Sequence, residues 1–222
     1  MKKNYFIIDF DSTFVKVETL EMLASVALEG NPDKEKILAE MYAITDLGME
    51  GKIPFHESLA KRIKLLRAHK NHFKKTITTL KRFVSRSFRK NKEFILQNKD
   101  QIYILSGAFK ELIQPVILDY GIDTSHILAN EFMYDKDGNI IGVDASNPLT
   151  NSQGKSIIVA GLDLTGKIYV IGDGFTDYEI KNSGVADYFV AYIEHVERKN
   201  IIKNADYIVR SFDEFIEIIK SK

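Results

Sequence analysis

The sequence predicts an α/β fold: an open parallel sheet with helices on both faces, interrupted by an inserted helical bundle and a small β-hairpin. Three observations predict it. Short continuous apolar runs end abruptly in Asp or Gly, as strands buried on both faces do. Helical patterns lie between those runs, so strands and helices alternate. Residues 18–88 break that rhythm with consecutive helical patterns and no strand between them.

The elements follow in order. Tyr5-Phe6-Ile7-Ile8 ends in Asp9 and reads as the first strand. In the insert, Asn31-Pro32 is expected as an N-cap with Pro at the first helical position, and Gly48 as the helix stop. Pro54 opens the next helix, where Phe55, Leu59, Ile63 and Leu66 form one stripe. Phe73, Ile77, Leu80 and Val84 form the stripe of another. Gln101 to Leu105 is a strand followed by Ser106-Gly107, and Phe109 to Tyr120 a helix. Asp137-Gly138 between Phe132-Met133-Tyr134 and Ile140-Ile141 signals a hairpin. Gln153 to Gly161 is helical, Lys167 to Ile171 a strand and Asp177 to Ser183 a helix. Tyr188 to Tyr192 and Tyr207 to Val209 are strands, and Ser211 to Ile219 closes as a helix.

Composition narrows the function classes. The 222 residues are 45% hydrophobic and 28% charged, which excludes global disorder. With no cysteine there is no disulfide, thiolate metal site or thiol nucleophile. No apolar run approaches the roughly 18 residues of a membrane span. The apolar run near the start stops at Asp9, far short of a secretory h-region. A cytoplasmic protein with no membrane partner is therefore expected, as monomer or homodimer. The 31 basic and 31 acidic residues balance, but not evenly: 13 of the basic ones, and no acidic one, fall between Lys61 and Lys92. A solvated helical face explains that run, and steering of an anionic ligand competes with it. A nucleic-acid partner is not expected, because surface aromatics and any nucleic-acid module are missing.

Four constellations carry chemistry. Asp9-Phe10-Asp11-Ser12-Thr13 follows the first strand; two carboxylates two apart on extended chain point to one side. Gly172-Asp173-Gly174-Phe175-Thr176-Asp177 follows another strand. It combines glycines for close backbone approach with the hard oxygen donors that Mg²⁺ prefers. Ser106-Gly107 is expected to open a helix and offer a hydroxyl and N–H groups to an anion. Lys155 starts a later helix. Carboxylates converging at strand ends repel one another unless a cation joins them. An oxygen nucleophile, a metal, a cationic group and N–H donors are the parts phosphoryl transfer needs.

In this order the motifs resemble the haloacid dehalogenase superfamily of phosphohydrolases, whose four signatures spread here over residues 9–177. The resemblance implies a Rossmann-like core at 1–16 and 89–222. It also implies an inserted helical cap of the C1 type at 17–88 and a hairpin insertion at 127–149. Within the cap, Met49-Glu50-Gly51 through Phe55, Ser58-Leu59 and Arg62, with Glu18 after the first motif, is similar to the phosphoserine phosphatases.

That resemblance implies roles. Asp9 is the nucleophile, Asp11 the acid and base, and Lys155 a phosphate holder. Mg²⁺ is held by Asp9, Asp11 through its carbonyl, and Asp173, with Asp177 beside them. Ser106, Gly107 and Thr176 contact phosphate. Glu18 takes an ammonium, Arg62 a carboxylate, and Met49 and Phe55 close the pocket. The substrate implied is a small phosphomonoester, O-phospho-L-serine first, in serine biosynthesis. Another small phosphorylated metabolite, or a receiver that keeps its phosphoryl group on Asp9, are the alternatives. The chain departs from the pattern at Ala108, where a second glycine is usual. It departs again at Phe175-Thr176, where Ala-Asn is usual, and between Ser85 and Lys92, where a Pro-Gly turn is missing. His69 and His72, in the basic run, are expected to be solvated.

Overall fold

The computed structural model describes residues 3–221. Chain order is β1 (Lys3–Ile8), α1 (Thr19–Ala27), α2 (Lys34–Met49), α3 (Phe55–Leu66), α4 (Phe73–Arg82), α5 (Arg86–Lys90) and α6 (Lys92–Gln97). Then come β2 (Ile102–Phe109), α7 (Lys110–Ile117), β3 (Ile127–Asn130), β4 (Phe132–Tyr134) and β5 (Ile140–Val143). The chain ends with α8 (Gly154–Gly161), β6 (Gly166–Gly172), α9 (Phe175–Asn182), β7 (Tyr188–Tyr192), α10 (Lys199–Ile202), β8 (Tyr207–Val209) and α11 (Phe212–Lys220).

Six strands pair in parallel in the order β3-β2-β1-β6-β7-β8. The apolar runs feed both faces of this sheet. In β1, Phe6 and Ile8 enter one core and Ile7 the other; in β6, Tyr169 and Ile171 oppose Val170. An aromatic cluster of Phe14, Phe88 and Phe212, with ring centroids 4.7 and 4.2 Å apart, packs in the first core. The order of strands reverses between β1 and β6, and the crevice at the carboxyl ends there is where open α/β sheets bind ligands.

Helices α1 to α4 sit between β1 and β2. The chain leaves and re-enters the core as a short antiparallel pair: Val15 bridges Val84, Lys16 N–H donates to Phe83 O at 2.9 Å, and Ser85 N–H to Phe14 O at 2.9 Å. Helix α4 packs along α7, and α1 touches α2, α3 and α4. The hairpin β4–β5 also reaches this layer. Ile140 N–H donates to Ala68 O at 2.9 Å and Lys70 N–H to Gly138 O at 3.1 Å. Phe73 stacks on Phe132 with centroids 5.7 Å apart.

Several expectations are corrected. Residues 127–130, expected in the hairpin, form β3 of the main sheet, so the hairpin strands are only 132–134 and 140–143. Strand β2 runs on through Phe109, which pairs with Asn130, and α7 starts at Lys110. Ser106-Gly107 therefore opens no helix. It lies where β2 shifts register against β3, an irregularity of the kind that re-aims side chains. Helix α2 starts at Lys34: Asn31 Oδ1 accepts from Asp33 N–H at 2.8 Å and holds Pro32 in a turn before it. Gly48 is inside α2, and the stop comes at Gly51, with φ +72. Val84 lies beyond α4. Helix α9 starts at Phe175, two residues before the expected Asp177. His69 and His72 are structural: His72 Nδ1 accepts from His69 N–H at 3.0 Å, and His69 Nε2 meets Asp137 O at 2.8 Å. The basic run is solvated apart from Arg62, and Lys61, Lys75, Lys81 and Lys90 pair with Glu57, Glu29, Asp119 and Asp213.

Candidate active site

The floor of the site is made of strand ends. Asp9 follows β1, and its N–H donates to Ile171 O at 2.9 Å, which ties it to the end of β6. The chain then makes one wide turn: Phe14 and Val15 N–H donate to Asp9 and Phe10 O at 3.4 and 2.9 Å. Ser12 holds a left-handed φ of +53, uncommon for a non-glycine residue and typical of functional loops. Its hydroxyl donates to Glu18 Oε1 at 2.7 Å, so the strained residue also positions the first residue of the cap helices. Asp11 accepts from the Thr19 hydroxyl.

Lys155 crosses from α8 to bind two carboxylates, its Nζ 2.7 Å from both Asp9 Oδ1 and Asp177 Oδ1. Asp177 also accepts from Gly174 N–H at 3.1 Å. Asp173 accepts from Arg198 Nε at 3.2 Å. Oxygens of Asp9, Asp173 and Asp177 lie within 4.8 Å of one another, all buried. Three buried carboxylates are hard oxygen donors of the kind a divalent cation takes.

The roof comes from α1 to α3. Met49, Phe55, Leu59, Arg62 and Leu20 face Asp9, Asp11, Ser106, Gly107, Ala108, Phe109, Lys155 and Thr176 across one cavity. It is closed down to about 20 Å³, room for about one water. Phe55 seals it. A Cβ on Gly107 would stand 2.3 Å from Phe55 Cζ, so only glycine lets the ring approach so closely. Arg62 is only 4% exposed. Its Nη1 lies 3.5 Å from Glu21 Oε1, while its Nε has no partner. Glu18 Oε2, Glu21 Oε2 and Thr176 Oγ1 are likewise buried and unpartnered.

Burial governs the protons here. It raises Asp9 well above the ordinary carboxylate range, against the Lys155 ammonium and with help from Asp177 and Asp173. It pushes Asp11 up to about 7, despite the Thr19 hydroxyl and N–H. It raises Asp173 to about 6, opposed by Arg198. It raises Glu18 well up, with Asp11 and Glu21 adding repulsion. For Lys155, burial works against the ammonium, but Asp177 and Asp9 outweigh it and hold the charge. An acidic cluster held this far from its ordinary ionisation suits an added cation.

Nine of the residues singled out in the sequence meet at the cavity: Asp9, Asp11, Met49, Phe55, Arg62, Ser106, Gly107, Lys155 and Thr176. Asp173 and Asp177 join Asp9 just below it. Glu18 is buried beside Ser12 but is not part of the cavity wall. Ser106 Oγ already accepts from Ala108 N–H at 3.1 Å. Sequence reasoning missed Glu21 and Arg198, and gave Thr19 no role of its own. Glu21 had a signal, since it lies one turn after Glu18 on a helix; an isolated arginine in a loop has none.

Among the described residues no helix is long and apolar enough to cross a membrane. The model of the haloacid dehalogenase-like hydrolases matches residues 6–180. The phosphoserine phosphatase of the Arabidopsis thaliana chloroplast is 30% identical over 94% of this chain and 69% of its own. That of Campylobacter jejuni subsp. doylei is 28% identical over 96% of this chain and 97% of its own. A phosphoserine phosphohydrolase-like protein of Francisella tularensis superposes with a TM-score of 0.88 at 33% identity, over 98% of this chain and 100% of that one. A hydrolase family leaves no ground for a receiver that merely keeps its phosphoryl group. The chain belongs to the haloacid dehalogenase-like hydrolase family, as a phosphoric monoester hydrolase that resembles the phosphoserine phosphatases.

Proposed function

We propose that the chain hydrolyses O-phospho-L-serine to L-serine and phosphate, with Mg²⁺ and an aspartyl-phosphate on Asp9. One observation carries the choice of substrate. A buried arginine of the roof, Arg62, lines the same closed cavity as Asp9 and Asp11, and its Nε–H has no partner among the described residues. A guanidinium is the group that grips a carboxylate through two parallel hydrogen bonds. The names of the relatives from Arabidopsis and Campylobacter point the same way.

A carboxylate oxygen of Asp9 attacks phosphorus, and the bond from phosphorus to the serine oxygen breaks. Asp11, whose carboxyl holds its proton up to about pH 7, gives that proton to the departing serine oxygen. Water then attacks the phosphorus, Asp11 takes the water's proton, and the bond to Asp9 breaks. Lys155, the Ser106 hydroxyl, Gly107 N–H and the Thr176 hydroxyl face the phosphate oxygens. Glu18, whose buried Oε2 is unpartnered, would accept from the substrate ammonium once the roof lifts. Asp9, Asp173 and Asp177 with the Asp11 carbonyl would hold Mg²⁺, which would supply positive charge against the phosphoryl oxygens. Met49 and Phe55 exclude water. The 17–88 segment acts as the moving cap, because about 20 Å³ admits no substrate.

The test is phosphate release from phosphoserine, phosphothreonine, a sugar phosphate and p-nitrophenyl phosphate, with Mg²⁺ and with EDTA. Mg²⁺-dependent preference for phosphoserine is expected. Equal rates on all four esters would remove phosphoserine as the substrate.

A further inference from the structure

We infer that Asp46 and Arg198 form a latch that holds the roof of the site shut, acting as positioning residues for the reaction. The inference rests on the reading of 17–88 as a cap that moves.

Arg198 follows β7 and is only 8% exposed. Its guanidinium is shared between two layers. Nε reaches Asp173 Oδ2 at 3.2 Å on the core side, and Nη1 reaches Asp46 Oδ1 at 3.1 Å on the cap side. A planar, permanently charged fork suits such a bridge, since one edge can stay on the core while the other is released. Asp173 is buried, so the core contact is the fixed one; the Asp46 side chain is 64% exposed, so the cap contact is the breakable one. Neither Asp46 nor Arg198 lines the cavity.

The position of Asp46 explains what the latch controls. It lies on α2 one turn before Met49, which lines the cavity, and the chain reaches Phe55 within nine residues. The same segment makes a second contact with the core. Gly51, at φ +72, lies so close to Phe175 that a Cβ there would stand 2.9 Å from the ring. Phe175 is one of the positions where this chain departs from the family pattern, and here it serves as a seat for the cap. When Asp46 is on Arg198, Met49 and Phe55 are over Asp9. When it is off, the segment 46–55 is released.

Amide hydrogen exchange tests this without any substrate. Asp46→Lys sets a like charge against Arg198, and exchange across 46–55 is expected to rise about tenfold, with β1 and β6 unchanged. Asp46→Asn is expected to give a smaller rise, and Asp46→Glu to restore protection. Salt of about 0.5 M should speed exchange of 46–55 in the wild type and leave Asp46→Asn unmoved. In turnover, Asp46→Lys should raise KM about fivefold with kcat nearly unchanged. Unchanged exchange at 46–55 in Asp46→Lys would overturn the latch, as would a uniform rise throughout the chain. Faster exchange at 46–55 in a protein that ignores phosphoserine keeps the latch and removes only the substrate.

Discussion

The floor and the roof of the cavity are built on different terms. On the floor, Asp9 and Asp173 lie within a residue of a strand end, and Lys155 binds two carboxylates at 2.7 Å. On the roof, Met49, Phe55 and Arg62 come from inserted helices outside the sheet, which meet it through apolar packing such as Phe55 over Gly107. The floor is braced by a six-stranded sheet, and the roof by what it happens to touch. On the proposed reading, bond making belongs to the part braced by the sheet, and choice of substrate to the part carried on the inserted helices. Substitutions in the two regions should fail differently.

The largest effect belongs to the floor. Asp9→Asn should lower kcat by about 10³-fold or more on every ester, with an unchanged melting temperature in EDTA. Residual turnover near the wild-type level would remove Asp9 as the nucleophile. Next comes the roof. Arg62→Ala should cost about 10²-fold in kcat/KM for phosphoserine, the scale for losing one partner of a buried charged pair. It should leave p-nitrophenyl phosphate within a few-fold, and equal losses on both would mean that Arg62 serves the floor.

The boundary between the regions comes third. Gly107→Ala places a methyl 2.3 Å from Phe55 Cζ and should prop the roof open. KM is expected to rise about tenfold, in keeping with an overpacked contact. Phe55→Ala in the same chain should recover part of that loss; no recovery would place the damage in β2 instead.

The smallest effect lies where the cap joins the core. The Ser85 hydroxyl donates to Thr13 O at 2.7 Å, so His195 Nε2, also at 2.7 Å, must be its donor. Burial lowers the His195 pKa, Lys16 lowers it further, and Glu194 opposes. A lowered pKa means that the unfolded chain binds the proton more readily. The stabilisation is therefore full above the ordinary value of 6.5 and is lost as pH falls through the folded one. His195→Gln, which keeps a donor for Ser85, should show a smaller drop in melting temperature between about pH 7.5 and pH 5 than the wild type. Parallel curves would mean that His195 does not carry that slope.

The floor was the more legible region in the sequence. A strand covered on both faces reads as an apolar run, and its last residue announces the loop that carries the chemistry, as at Ile8-Asp9 and Gly172-Asp173. The roof was legible only where its residues match a known pattern, as Met49, Phe55 and Arg62 do. Strand β3 was misplaced because four residues beside a strong Asp-Gly turn carry no mark of which strand they pair with. The start of α7 was misplaced because β2 continues through Phe109 on a partner 21 residues away. Asp46 and Arg198 were invisible for a similar reason: a sign of charge does not name a partner 152 residues off.

The hairpin has one more consequence. It grips the chain between α3 and α4 through Ala68, Lys70 and His69, while α4 itself lies against α7. Together with the two crossings at Val15 and Val84, these attachments tie the α4 side of the cap to the core. On the proposed reading of 17–88 as a moving cap, a panel fastened on that side swings like a door. Helix α1 touches α4 as well as α2 and α3, and on that reading the α2–α3 turn is the edge that travels farthest for a given angle. That edge carries Met49 and Phe55. A few degrees of rotation at the fastened side would therefore open the widest gap at the edge that covers Asp9.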